Sequence, residues 1–289
     1  MTSGHPIPGR RTAGSAALLV VVIALSMQTG SALAGRLIES AGVVETLWLR
    51  TAIAAAILAA LRPRSLRVPA AGDRLPLAAL TLALLLMNLS FYAAISRAPL
   101  GIVVAVEFTG PLAVAVIGSR RVVDFVWIAL AGVGVVLLAG PTSSVSTLGL
   151  LLALCAAGGW AAFLLLAKRA VTSMDPLPVT TLMLVGSAVL LTPALAVTGV
   201  ETDGLWTALG VGAAIAVLSS AFPYFLELFV LSRVRAATYG VLLSIEPAVA
   251  ALTGFLILAQ RLTLVEGGAI AAVMAAAAGA SWTSEPHRR

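Results

Sequence analysis

The chain has 289 residues, of which 60% are hydrophobic and only 10% are charged, and its 18 Lys and Arg outnumber its 12 Asp and Glu. Soluble domains carry about a quarter of charged residues because their surfaces face water, so this composition excludes a soluble enzyme and a disordered chain. The single cysteine, Cys155, excludes an internal disulfide scaffold. We therefore expect an integral membrane protein.

Ten nearly uncharged runs follow one another with very short loops, and a membrane helix needs about 20 such residues. They lie at 15–35, 44–61, 76–96, 99–118, 125–140, 148–167, 177–198, 205–231, 238–259 and 264–282. A β-barrel would alternate polar and apolar residues in runs of about ten, whereas 77–86 and 269–280 are apolar on every face. The first run imitates a signal peptide, but it is long for one, and its removal would leave nine spans. The prediction is an all-α membrane protein with ten transmembrane helices.

The basic residues indicate the orientation of these helices. If Met1 is inside, 14 of the 18 Lys and Arg fall in inner segments and three in outer ones, while Arg50 lies within a span. The positive-inside rule then places both termini in the cytoplasm, as tails at 1–14 and 283–289. Because the positive charge is spread over several inner segments, we expect no nucleic-acid partner.

Ten spans divide into two five-helix repeats, 15–140 and 148–282, and an odd number of spans gives the second repeat the opposite orientation. Similar Arg-Ala…Gly runs open the fourth and the ninth spans. Six residues after each Gly comes a carboxylate, Glu107 or Glu246, and a proline follows. Inverted repeats place a substrate site near the midplane. The alternative is that two spans share a pattern by composition alone.

Four ionisable residues lie well inside the predicted spans, and a charge at mid-bilayer costs roughly 2.5–3.5 kcal/mol on insertion scales. Glu107 and Glu246 lie about eight residues deep, on the order of 12 Å from an interface at 1.5 Å per residue, so we expect them to be functional. Glu227 and Arg50 are nearer to span ends, and their charges could instead extend to the interfaces.

Three prolines fall inside the same spans, and each removes an N–H from the helix ladder. Pro111, Pro223 and Pro247 would free the carbonyl groups of Glu107, Ser219 and Leu243. Broken helical backbone at membrane depth is tolerated where it lines a cavity, so we expect hinges or gating points there.

Helical spacing places further polar side chains on common faces: Asn88 with Tyr92, Tyr224 with Glu227, and Tyr239 with Glu246. These groups could bind the ammonium and hydroxyl groups of a small polar solute, with Arg50 available for a carboxylate. The alternative for Tyr239 is anchoring at the membrane interface.

The predicted spans lack the residues that a catalytic triad, a metal site or a cofactor would require. His5 and His287 lie in the tails, no Asp lies within a predicted span, and the only lysine, Lys168, is at a helix end. We therefore expect no catalytic triad, no metal site and no cofactor. No phosphate-binding glycine motif occurs, which excludes ATP-driven transport by this chain alone.

The chain resembles the EamA-type ten-helix members of the drug/metabolite transporter superfamily, and more closely their threonine/homoserine exporter branch. Four segments carry the resemblance, which covers essentially the whole chain: 87–92, 99–113, 223–227 and 240–248. One departure is that the family usually has Gly-Glu at the end of the ninth span, where this chain has Ala259-Gln260.

The resemblance implies an inner-membrane exporter of small amino acids or related metabolites that works by alternating access. We expect proton coupling, with Glu107 and Glu246 alternately loaded by H⁺ and by the substrate ammonium group. The expected partners are a small-molecule substrate, protons and membrane lipid, for a monomer or a homodimer. The alternatives are a drug or organic-cation exporter of the same superfamily and a membrane protein that transports nothing.

Overall fold

The computed structural model describes residues 10–116, 122–138, 146–198, 205–233 and 243–284, which form helices and short connections with no strand among them. The helices are α1 (Arg10–Ala41), α2 (Val43–Leu61), α3 (Ala71–Ile95), α4 (Leu100–Glu107), α5 (Thr109–Val116), α6 (Val122–Leu138), α7 (Thr147–Ser173), α8 (Pro176–Thr198), α9 (Leu205–Ala216), α10 (Phe222–Arg233), α11 (Glu246–Leu258) and α12 (Leu264–Ser284). The prediction of an all-α fold is confirmed for these residues.

Membrane-length helices dominate the described residues. Six stretches are long and apolar enough to cross a membrane: Leu18–Ala41, Val43–Leu61, Ala71–Ile95, Thr147–Ser173, Pro176–Leu195 and Thr207–Arg233. Large apolar side chains also face outward, including Phe125, Val136 and Leu256, which are 68–70% exposed. Such an exterior suits hydrocarbon rather than water.

Irregular backbone lies next to each of the three prolines. Phe108 separates α4 from α5, three residues before Pro111. A π-helix, Val217–Ala221, joins α9 to α10 directly before Phe222 and Pro223, and Pro247 stands in the first turn of α11. Because the proline ring lacks an N–H and crowds the preceding turn, the regular ladder is disturbed upstream of it.

The helices pack closely where small residues meet. A Cβ at Gly159 of α7 would lie 2.8 Å from Cα of Met87 in α3, and one at Gly110 of α5 would lie 2.1 Å from the carbonyl oxygen of Ala157 in α7. Both positions therefore require glycine for the backbones to touch, as in other membrane helix pairs. This packing positions α3, α5 and α7 around the centre of the bundle.

Each of the longest helices packs against helices from the other half of the chain. α3 packs on α7, and α1 packs on α9, the π-helix and α10. α1 also contacts α11, while α4 and α5 contact α7. In addition, α2 packs on α8, α4 on α11 and α6 on α12. The two halves are therefore interleaved rather than separate.

Candidate functional site

Arg50 of α2 is buried at the centre of the bundle, with 2% of its surface exposed. Its Nη1 donates to the Tyr92 hydroxyl at 2.7 Å, and its Nε donates to the Ser220 hydroxyl at 2.5 Å. Its Nη2 donates to Asn88 Oδ1 at 2.8 Å and to the Tyr224 hydroxyl at 2.7 Å. The guanidinium is held in the interior, not extended toward a helix end.

The partners of Arg50 are themselves oriented by hydrogen bonds. Asn88 Nδ2 donates to the Leu84 carbonyl oxygen at 2.8 Å, which turns Oδ1 toward the guanidinium. The Tyr224 hydroxyl donates to the same Oδ1 at 3.1 Å. The guanidinium carbon also lies 5.1 Å from the ring centroid of Tyr92 and 5.5 Å from that of Tyr224, within the range of cation–π attraction. The four accepting oxygens are all neutral, so none of these hydrogen bonds pairs the guanidinium with a negative charge.

Three carboxylates face the same interior space as Arg50. Glu107 is the last residue of α4, Glu246 is the first residue of α11, and Glu227 lies within α10. Their exposed fractions are 7%, 1% and 4%, respectively. Two of them therefore occupy helix ends inside the bundle, beside the irregular backbone described above.

The carboxylates and Arg50 line one cavity, which is partly open to the outside. Its polar walls are Gln28, Ser31, Arg50, Asn88, Glu107, Tyr224, Glu227 and Glu246. Its apolar walls are Ile23, Met27, Met87, Phe91, Trp160 and Leu243. A concave pocket in which polar groups converge beside an apolar wall is a usual form of a small-molecule site. Within the described part of the chain, no group of three His, Cys, Asp or Glu could hold a metal ion.

Six of the predicted site residues line this cavity: Arg50, Asn88, Glu107, Tyr224, Glu227 and Glu246. Tyr92 is fully buried, is not among the lining residues and accepts a hydrogen bond from Arg50. Pro111, Pro223 and Pro247 are not among the lining residues but adjoin the backbone that presents the carboxylates. Tyr239 lies outside the described residues.

Three polar residues of the site were not predicted from the sequence. Gln28 and Ser31 of α1 line the cavity, and Ser220 of the π-helix binds Arg50. The available signal for Gln28 and Ser31 is that they are polar residues in an apolar span. Ser220 is likewise polar in an apolar span, but regular helical spacing could not predict which way it faces, because a π-helix has about one more residue per turn.

Gln260 connects α11 to α4 at the end of the bundle where α4 begins. Ala259 adopts a left-handed conformation with φ 54, which glycine occupies more readily. Gln260 Oε1 then accepts a hydrogen bond from the Leu100 N–H at 2.9 Å, and so caps the first turn of α4. Nearby, the Arg36 guanidinium donates to the Ile257 carbonyl oxygen, which connects α1 to α11.

Replacement of Gln260 by Leu is expected to lower the unfolding free energy by about 1 kcal/mol, the usual contribution of a helix cap. Thermal unfolding in detergent measures the loss. Gln260→Glu is the matched control, because a carboxylate still accepts from Leu100 N–H and is favoured at a helix N-terminus. Equal destabilisation by both substitutions would contradict the capping role.

Comparison with known proteins gives a consistent picture. The model of the EamA-like transporter family matches residues 147–282. The threonine/homoserine exporter RhtA of Salmonella typhimurium strain LT2 is 41% identical over 271 residues, which cover 92% of this chain and 91% of that protein. The threonine/homoserine exporter RhtA of Escherichia coli K12 is 39% identical over 270 residues, with the same coverage.

A solved structure described only as a crystal structure of a protein is also similar. Its TM-score is 0.66 at 18% sequence identity, and the match covers 93% of this chain and 98% of that one. At this identity the likeness concerns the fold alone.

Proposed function

The chain belongs to the EamA-like transporter family, and from this premise we propose that it is a secondary active exporter of small amino acids of the threonine and homoserine class. As a member of that family it is a multi-pass inner-membrane transporter and not an enzyme. The observation that carries the proposal is one buried cavity with a guanidinium and three carboxylates in its walls.

The charges of the cavity match those of a zwitterion. The α-carboxylate of an amino acid is recognised by Arg50, whose bonded partners are neutral and therefore do not neutralise it. The ammonium group is recognised by Glu107, Glu227 and Glu246 on the facing walls. A buried ion is tolerated when it is paired, and a zwitterion can pair with the guanidinium through one end and with the carboxylates through the other.

The crowding of carboxylates in the cavity supports the proposal of proton coupling. Three carboxylates that face one cavity inside the bundle repel one another when all are ionised. Either a proton or the substrate ammonium group relieves that repulsion, so the two compete for the same sites. We propose that this competition at Glu107 and Glu246 exchanges protons for substrate.

We propose ten membrane spans in two inverted repeats, 15–140 and 148–282. α4 and α5 form one span broken at Phe108, and α9, the π-helix and α10 form another. The family model also spans one continuous segment of the second half. The excess of Lys and Arg in alternate loops supports cytoplasmic termini.

The pattern of helix contacts supports the inverted repeats. When the spans of the two halves are matched in order, the α3–α7 contact corresponds to the contact of α1 with α9 and α10. The α1–α11 contact likewise corresponds to that of α4 and α5 with α7. The α2–α8, α4–α11 and α6–α12 contacts correspond to themselves. A pseudo-two-fold axis in the membrane plane produces these equivalences and passes through a central site.

Alternating access then consists of rocking one repeat against the other around the cavity. The helices can bend at the irregular backbone beside Pro111, Pro223 and Pro247. Gln260 and Arg36 hold α1, α4 and α11 together at the end that the proposed topology makes extracellular, so these contacts must separate when that side opens.

Transport by the purified protein in proteoliposomes tests the proposal. We expect exchange of labelled threonine against internal threonine or homoserine, and accumulation driven by a pH gradient. Decarboxylated threonine, 1-aminopropan-2-ol, should not compete because it offers nothing to Arg50. Efficient transport of that amine without threonine would instead identify an organic-cation exporter, and no flux above empty liposomes would refute a transport role.

A further inference from the structure

Gln28 of α1 is a buried amide that the charge pairing described above does not use. It lines the cavity and is 3% exposed. Its Oε1 has no hydrogen-bond partner among the described residues. An amide oxygen buried without a partner costs about 1–3 kcal/mol, and an apolar residue of the same size would avoid that cost. The position therefore favours a residue whose partner is a ligand.

The packing of α1 fixes the direction of Gln28. Two residues before it, the Ser26 hydroxyl donates to the Leu218 carbonyl oxygen at 2.6 Å. Two residues after it, Gly30 lies so close to Ser219 that a Cβ would be 2.7 Å from the serine Cβ. Residues two apart on a helix point to nearly opposite sides. The contacts of Ser26 and Gly30 thus pack one face of α1 against the π-helix. Gln28 lies on the opposite face, and its amide lines the cavity.

We propose that Gln28 is a specificity-determining residue whose side-chain carbonyl accepts a hydrogen bond from the side-chain hydroxyl of the substrate. This inference rests on the proposed export of threonine-class amino acids. The carboxylates and Arg50 recognise the two charged groups of such a substrate, and its hydroxyl is the remaining polar group. A site that binds a hydroxyl rejects the analogue that lacks it, because the buried acceptor is then unpaired.

The test compares threonine with 2-aminobutyrate, which differs by the absence of the hydroxyl group. Initial uptake rates at low substrate concentration in proteoliposomes give the preference ratio. We expect wild-type protein to prefer threonine and Gln28→Met to reduce the ratio by on the order of tenfold, as expected for about 1.4 kcal/mol. Met27→Leu is the matched control on the same wall, and it should alter both rates in proportion.

Each outcome is informative. A Gln28→Met protein that transports threonine with an unchanged ratio overturns the inference and leaves the proposed function intact. Absence of threonine transport by wild-type protein overturns both. If Gln28→Met does not yield a monodisperse protein, Gln28→Asn decides, since it keeps the amide but withdraws it by one methylene group. A ratio unchanged by Gln28→Asn overturns the inference, and a reduced ratio supports it.

Discussion

Replacement of Glu107 by Gln is expected to abolish the pH dependence of amino-acid efflux. Glutamine keeps the size of the side chain in the cavity wall but cannot take up or release a proton. Exchange of threonine across the membrane without a pH gradient should persist at a reduced rate, because Glu227 and Glu246 remain in the same cavity. The measurement is the initial threonine flux in proteoliposomes, with and without an imposed pH gradient.

Two further variants give that experiment its reference points. Glu39→Gln is the matched control, since Glu39 is exposed on α1 and does not line the cavity, and its pH response should equal that of wild-type protein. Glu246→Gln should reproduce the loss seen with Glu107→Gln if the two repeats share the coupling. Intact flux in Glu246→Gln would instead show that they are not equivalent. An unchanged pH response in Glu107→Gln would contradict coupling at this residue.

Replacement of Arg50 by Lys is expected to reduce threonine transport at least tenfold and to destabilise the protein by about 1–3 kcal/mol. Lysine retains the positive charge but offers three donors at a single point, whereas the planar guanidinium serves four oxygens at once. Four of the five guanidinium N–H groups are already used in this way, so the substrate carboxylate also loses the remaining N–H donor of Nη1. Threonine flux and thermal unfolding in detergent measure the two effects.

The stability effect and the binding effect of Arg50 can be separated with Tyr92→Phe. This change removes one acceptor of the guanidinium, and Tyr92 is not among the residues that line the cavity. We expect a loss of about 0.5–1.5 kcal/mol in stability and nearly unchanged transport. Full threonine transport by Arg50→Lys would contradict recognition of the carboxylate by Arg50. Equal loss of transport in both variants would indicate that Arg50 acts by holding the helices together.

The buried acids and the irregular backbone beside the prolines were predicted correctly from the sequence. The buried acids Glu107 and Glu246 were predicted from their depth in apolar runs, because insertion cost depends on position along a helix. Irregular backbone near Pro111 and Pro223 was likewise predictable from the missing N–H. Both effects are local, so neighbouring residues in the chain are sufficient to indicate them.

The surroundings of Arg50 were only partly predicted. From the sequence, the charge of Arg50 could either extend to the membrane interface or bind the carboxylate of a substrate. The structure instead buries it among Asn88, Tyr92, Tyr224 and Ser220, which come from α3, the π-helix and α10. Helical spacing had paired Asn88 with Tyr92 correctly, but the partner across the bundle depends on how each helix is rotated, which spacing within one helix does not specify.

By itself, the sequence determined that this protein is helical, that it lies in a membrane, and that Glu107 and Glu246 are buried there. Hydropathy, the effect of proline on a helix and the cost of membrane insertion all depend on residues that are near one another in the sequence. They can therefore be assessed without knowing the tertiary structure. Only the tertiary structure decided that six predicted residues share one cavity and that Gln28 belongs to it. The physical reason is that close helix packing at small residues such as Gly30 and Gly159 sets the rotation of each helix, and that rotation decides which polar groups meet.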